Sequence, residues 1–366
     1  MPSSLPVDVS KTLDAPALAR FVALQAEAIN AVTERFYATH GAAYARFGDR
    51  GREACREDLA FHLEFLRPVL EFGLLQPMVD YLVWLNSVLT ARSVPADHLG
   101  LSLDWLGEFF TQTLPAPEGA AVAQVLAEAH EGFLRAESGL PAPVLSQTVW
   151  AEAAEFAALL VRGESHNALT MMHRMLDSGH SLIDFEMHVI QPAMYQIGEQ
   201  WQQNQISVAQ EHMASAIVQM VMTVGLVRSP PPAALDRRVL LACVEGNQHA
   251  LGLLMVSDAF ALAGWQVQYL GANVPTASLV AQIVLSRPHL VGLSVSFPQQ
   301  LRMAKAVIEQ LTAQLGSARP AVMVGGLAVN RFSRLTDVLG ADASGANARF
   351  AVAQANLLTP SEVAKP

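Results

Sequence analysis

Three groups of residues have side-chain types and spacings that could do chemistry. The first is the run VLLACVEGNQHALG, residues 239–252, in which His249 sits between Gly246 and Gly252 on a loop that leaves an apolar, strand-like stretch. A histidine between two glycines on the loop leaving a buried strand stands where α/β proteins bind ligands. The second is Trp201 with Val208, Glu211 and His212: the last three open a helix at i, i+3 and i+4 and share a face, and the indole enters from the preceding turn. The third is Arg50, Arg52, Cys55, Arg56, Asp58 and His62, a basic and polar cluster on one amphipathic segment.

The elements that must position these groups follow from periodicity. In CREDLAFHLEFLRPVL, Cys55, Leu59, His62, Leu63 and Leu66 recur every three or four residues, so residues 15–140 read as helices with a buried face. PAPEG at 115–119 and LPAPVL at 140–145 supply breaks. From 148 to 227 the pattern is again helical, cut by turns at Arg162-Gly163-Glu164 and Ser178-Gly179-His180 into about four helices, the pattern of a small bundle. After SPPPAALDRR the period shortens. RVLLACVEG, WQVQYLGANVP, HLVGLSVS and AVMVGGLAV are β-prone runs, the first three each followed by a helix-length amphipathic stretch. Such alternation predicts a doubly wound parallel sheet with ligands at the carboxyl ends of its strands, where Glu245 to His249, Gly271 to Pro275, Ser294 to Pro298 and Gly325-Gly326 fall. The domain expectation is 1–145, 146–228 and 236–358.

Composition narrows the class. The 366 residues are 52% hydrophobic and 15% charged, enough for a large core. The net charge of −10 is dispersed without a basic block, so the expectation is no direct nucleic-acid partner. Two cysteines, no signal-peptide pattern and no membrane-length apolar run predict a soluble cytoplasmic protein without membrane association. The first glycine loop is not GxGxxG, and WQVQYLG lacks the acidic ribose partner, which disfavours a nicotinamide site. No Ser/His/Asp set, Walker loop or paired carboxylates stand at convincing positions, so the chain reads as a non-enzyme.

NQHALG resembles the D-x-H-x-x-G signature of cobalamin-binding domains, and the resemblance continues through Leu270-Gly271-Ala272, Ser294-Val295-Ser296, Gly325-Gly326 and Gly340-Ala341-Asp342. It implies a Rossmann-like fold in which His249 is the lower cobalt ligand, Ser294 or Ser296 contacts the displaced nucleotide tail, and Gly325 with Gly326 leave room for it. Asn247, Gln248, Ala250, Leu251 and Gly252 complete the implied cofactor-binding set. The family's carboxylate is Asn247 here. Its amide oxygen would accept the second ring N–H of His249, with Glu245 as a substitute.

The spacing of Trp201, Val208, Glu211 and His212 resembles the bundle of the adenosylcobalamin-dependent light-responsive regulators of carotenoid synthesis, of the CarH and LitR type. There these residue types cap the 5'-deoxyadenosyl group. Those regulators carry a histidine after the tryptophan; here it is Gln202, which leaves water, His173, His180 or His212 as upper-ligand candidates after illumination. The first region shows no winged helix and resembles the globin-like N-terminal region of the photocobilins, which also bind biliverdin. That resemblance implies Arg50, Arg52 and Arg56 on propionates, His62 on the pyrroles oriented by Asp58, and Cys55 as an attachment point. The resulting expectation is a light sensor binding adenosylcobalamin and biliverdin, a homo-oligomer whose self-association changes with light or that docks on a separate output protein. Competing readings are a corrinoid carrier protein of a methyltransferase system and a scaffold that has lost the cofactor.

Overall fold

The computed structural model describes residues 12–95, 97–136, 148–331 and 335–359. The chain divides into two compact units, Met1–Ala142 and Pro143–Pro366.

The first unit is helical: α1 (Ala15–Tyr44), α2 (Gly48–Phe72), α3 (Leu75–Ala91), α4 (Asp97–Thr113) and α5 (Ala116–Arg135). Helix α1 begins where the Asp14 carboxylate accepts the Ala17 N–H at 2.9 Å, with Pro16 in the first turn, where its missing donor costs nothing. Helix α2 ends at Gly73, whose φ of 79° suits glycine and whose N–H caps the Val69 carbonyl. Leu59, His62, Leu63 and Leu66 are buried and Cys55 half-buried, so the 3.6-residue stripe read from the sequence is the core face. Each fully buried leucine contributes about 1.5–3 kcal/mol.

The second unit opens with four helical rods. Helix α6 (Glu152–Val161) turns at Gly163 into α7 (Ser165–Asp177), and α7 turns at Gly179 into a long rod; both glycines have positive φ. That rod is α8 (Leu182–Phe185), a π turn over Glu186–Ile190, and α9 (Gln191–Gln202). Pro192 accounts for the π turn: it has no N–H for the His188 carbonyl, so the Gln191 N–H reaches back to Glu186 O, and the Trp150 N–H satisfies His188 O at 3.1 Å. Helix α10 (Val208–Arg228) starts at Ser207 with a reciprocal Ser207–Gln210 capping box. Gly225 brings it close to α8: a Cβ there would stand 2.5 Å from Leu182 Cδ1.

The remaining elements are β1 (Arg238–Val244), α11 (Leu251–Leu262), β2 (Gln266–Val274), α12 (Thr276–Ser286), β3 (Leu290–Ser294), α13 (Leu301–Leu315), β4 (Ala321–Gly325), α14 (Leu327–Arg331), α15 (Leu335–Leu339), β5 (Ala343–Gly345) and α16 (Ala348–Leu358). All strand pairs are parallel, in the order β2-β1-β3-β4-β5. β1 is buried from Val239 to Val244 and β3 throughout, which is why both read as unbroken apolar runs. The order reverses between β1 and β3, and a doubly wound sheet opens a ligand crevice there. The bundle and the sheet share a core: Phe156, Phe185, Ile190 and Val218 cluster with Met255 and Ala259 of α11 and Ala348 of α16. Among the described residues, no helix is long and apolar enough to cross a membrane.

Candidate functional site

Three side-chain amides join the loops that meet at the β1/β3 switch. Asn247 is fully buried; its Oδ1 accepts the His249 backbone N–H at 3.1 Å and its Nδ2 donates to the Ser294 carbonyl, the last of β3, at 2.9 Å. Asn273, in the left-handed region at φ 51°, accepts the Gly246 N–H on Oδ1 at 2.7 Å and donates its own N–H to Asn247 O. Gln300, also buried, donates to Gly246 O at 3.0 Å while its Oε1 accepts the N–H groups of Ser296 and Phe297. An amide suits Asn247 and Gln300 because it donates and accepts at once, as these backbone groups require.

This arrangement corrects two expectations about the imidazole. Asn247 uses its oxygen on the backbone of His249 and its nitrogen on β3, so it holds the loop rather than the ring. Glu245 is no substitute. Its carboxylate caps α12, accepting the Thr276 N–H at 3.0 Å and the Thr276 hydroxyl at 3.1 Å, and these bonds hold its pKa below the usual carboxylate range.

His249 itself is exposed, with its ring edge-on to Phe297 at 5.0 Å between centroids. Partial loss of solvation lowers its pKa, and the negative charge of Glu211 on α10 acts in the opposite direction. The imidazole is therefore neutral at physiological pH, the form that offers a lone pair to a metal. Helix α10 packs on α11, the helix that follows the His249 loop, and begins near Glu211. There Val208 is 55% exposed, Trp201 is half-buried at the end of α9, and Glu211 holds His212 Nδ1 at 2.6 Å and accepts the Ser215 hydroxyl at 3.0 Å. The fold thus brings the bundle group and the loop group together. His180 packs instead on Trp150, at 4.5 Å between rings.

The glycines divide by role. A Cβ at Gly252, in the first turn of α11, would meet no atom within 4 Å, so the protein leaves open space there. At Gly326, where φ is 95°, a Cβ would stand 2.4 Å from Val295 O, and at Gly325 it would stand 3.0 Å from Gly345 O. This pair first serves close approach of neighbouring backbone. Ser294 is buried, with its hydroxyl against the Cys243 thiol, whereas Ser296 is half-buried and the more accessible of the two. Gln248 is exposed; Ala250 stands at the N-cap of α11, its carbonyl accepting the Tyr269 hydroxyl at 3.4 Å, and Leu251 packs on the bundle core.

In the first unit the polar cluster is already engaged. His62, 2% exposed, is bonded through Nδ1 to the Tyr81 hydroxyl at 2.8 Å and through Nε2 to Ser102 Oγ at 2.9 Å. The Ser102 hydroxyl donates to Leu99 O, so its oxygen accepts the Nε2 proton and Tyr81 donates to Nδ1. Burial lowers the pKa of this neutral ring to about 3. The Asp58 carboxyl does not orient it; the partner is Tyr81, and burial raises Asp58 to about 6. Arg52 pairs with Glu34 and lies 4.9 Å over the Tyr37 ring, with Arg56 4.0 Å from the same carboxylate. Burial raises Cys55 to about 11, which leaves a thiol rather than a reactive thiolate.

Sequence reasoning missed Asn273, Gln300, Phe297, Tyr81 and Ser102. The turn N-V-P and the pair Q-Q after Pro298 marked the first two, but only tertiary contacts reveal what they bond.

A parallel sheet of this order, with an exposed histidine at its switch point and a helical bundle packed on α11 and α16, is a cofactor-binding architecture. Residues 237–353 and 152–224 match two family models, both described as B12 binding domain. The second unit thus carries a cobalamin-binding domain. The chain is similar to two HTH-type transcriptional repressors of Myxococcus xanthus, CarA (33% identical over 172 residues, 46% of this chain and 57% of that one) and CarH (31% over 140 residues, 38% and 46%). It therefore spans about half the length of these relatives. It is also similar to dimethylamine corrinoid protein 3 of Methanosarcina acetivorans, 29% identical over 150 residues, 40% of this chain and 70% of that one. Among solved structures, the Methanosarcina barkeri monomethylamine corrinoid protein aligns with 56% of this chain and 97% of its own, at 19% identity and a TM-score of 0.48.

These relatives overturn the expectation of no nucleic-acid partner. Two of them are named as helix-turn-helix repressors, and that motif reads DNA. Whole-chain charge was the wrong guide, because a net charge averages over modules and does not locate a binding surface.

Proposed function

We propose that this protein is a light sensor whose second unit binds adenosylcobalamin between the His249 loop and the start of α10. One observation carries the reading: an exposed imidazole stands at the sheet's switch point, on the loop that leads into α11, beside open space at Gly252. The residues fit the group. His249 would supply nitrogen to cobalt, Ser296 and the strand tips would receive the nucleotide tail, and Trp201, Val208, Glu211 and His212 would cover the adenosyl group. When bound, adenosylcobalamin supplies a cobalt–carbon bond that light cleaves. Trp201 and Val208 would exclude water from the bound group, Glu211 and His212 would offer hydrogen bonds to a ribose or base, and a bundle that lost those contacts would repack. In this reading residues 146–228 are the cap and 236–358 the cobalamin-binding part. The first 145 residues are a globin-like region for biliverdin, where His62, Arg52 and Arg56 exchange their present partners for the pigment.

The test is reconstitution with adenosylcobalamin and absorption spectroscopy before and after green light. The expected result is retained corrinoid with a light-dependent spectral change, and His249→Ala shifting the dark spectrum and releasing the cofactor. Retention and coordination unchanged in His249→Ala would sink the site. A second reading, a methyl-carrying corrinoid protein, is favoured by the similarity to the dimethylamine corrinoid proteins. A light-inert bound corrinoid that accepts a methyl group would select it.

A further inference from the structure

Two carboxyls meet where the bundle packs on α11. Glu186, first residue of the π turn, is 0% exposed, and Asp258, in the middle of α11, is 2% exposed. Both oxygens of Glu186 and Oδ2 of Asp258 are buried without a donor, and the two side chains lie against each other. Their surroundings are apolar: Met187, Val189 and Ile190 on one side, Met255 and Ala259 on the other. A proton held between two acceptors in contact satisfies both, whereas two bare carboxylates in such a place would repel strongly.

We propose that Glu186 and Asp258 share one proton across this seam, and that the proton latches the bundle to α11. Other charged groups on the packed elements point elsewhere or are screened. Glu155 on α6 and Glu199 on α9 are exposed and Glu152 is half-buried; Arg349 on α16 is paired with Asp184, and the Tyr269 phenol on β2 stays protonated beside Asp258. Burial raises the pKa of both acids, Asp258 to about 6. The folded state therefore holds protons that the unfolded chain has released, so the latch is firm on the acid side and weakens as pH rises. When the shared proton leaves for solvent, the seam carries two charges and opens. Because α11 begins at the His249 loop, opening at Asp258 bears on the candidate site, but the latch itself needs no cofactor.

Hydrogen exchange of the full-length, cofactor-free chain from pH 5 to 8, corrected for intrinsic rates, tests this. The expected result is that exchange of residues 182–202 and 251–262 speeds up with pH, by up to about tenfold per unit at its steepest. Glu186→Gln and Asp258→Asn each supply a donor and flatten that dependence. A protonated-carboxyl stretch in difference infrared spectra at neutral pH is expected in the wild type and not in Glu186→Gln. Exchange at the seam that ignores pH in the wild type, variants that keep the wild-type dependence, or an infrared band that persists in Glu186→Gln would overturn the latch while leaving the cobalamin reading intact.

Discussion

At the scale of single residues, Asn247 and Gly252 separate what the fold needs from what a ligand needs. Asn247 donates to Ser294 O from a fully buried position, so Asn247→Asp turns a hydrogen bond into a meeting of two oxygens. The variant should lose about 1–3 kcal/mol in urea unfolding at neutral pH. The deficit should narrow as pH falls, because the buried acid has a raised pKa and its protonated form donates again. Gly252→Ala makes the opposite kind of statement. Its methyl enters open space in a helix, where alanine is favoured over glycine by about 0.5–1 kcal/mol. The cofactor-free chain should melt no lower than wild type, while equilibrium titration with cobalamin should show weaker binding. Unchanged affinity would mean that the open space is not part of the site.

At the scale of elements, the strand tips are held by backbone proximity. A methyl at Gly326 would press within 2.4 Å of Val295 O at a φ of 95°, so Gly326→Ala strains both the turn and the β3–β4 junction. Its expected cost is about 1–3 kcal/mol in chemical denaturation, larger than for a surface substitution. The rod through α8, the π turn and α9 shows the same dependence on backbone accounting: one proline frees a carbonyl, and the Trp150 N–H from before α6 takes it.

At the scale of the whole molecule, buried groups in the two units respond to pH in opposite senses. The folded pKa of His62 is about 3 against an ordinary 6.5, so between those values this ring binds more protons unfolded than folded and costs the first unit stability as pH falls. That cost approaches roughly 5 kcal/mol at most, and Asp58, raised to about 6 in the same unit, offsets part of it. In the second unit Asp258 is raised from 3.8 to about 6, so stability there falls as pH rises through that window. Thermal unfolding followed by probes in each unit, wild type against His62→Gln, should show the variant's first unit gaining transition temperature relative to wild type as pH falls below 6, while the second unit's transition is the same in both.

The architecture was largely legible without coordinates, because periodicity is a local property of the chain. The stripe of Leu59, His62, Leu63 and Leu66, the two glycine turns of the bundle and four of the five strands all declare themselves by spacing. Strand β5 does not, since Ala-Ser-Gly has no β-branched or aromatic side chain and pairs with β4 for only three residues. The site was legible as a set of residue types, NQHALG above all, but its bonds were not. That the Asn247 amide nitrogen reaches Ser294, that Glu245 turns to Thr276, that Tyr81 rather than Asp58 holds His62, and that Glu186 meets Asp258 are each decided by groups 19 or more residues apart in sequence. Hydrogen bonds and desolvation depend on distance in space, and a residue's type fixes what it can donate or accept but leaves its partner to the packing of the fold.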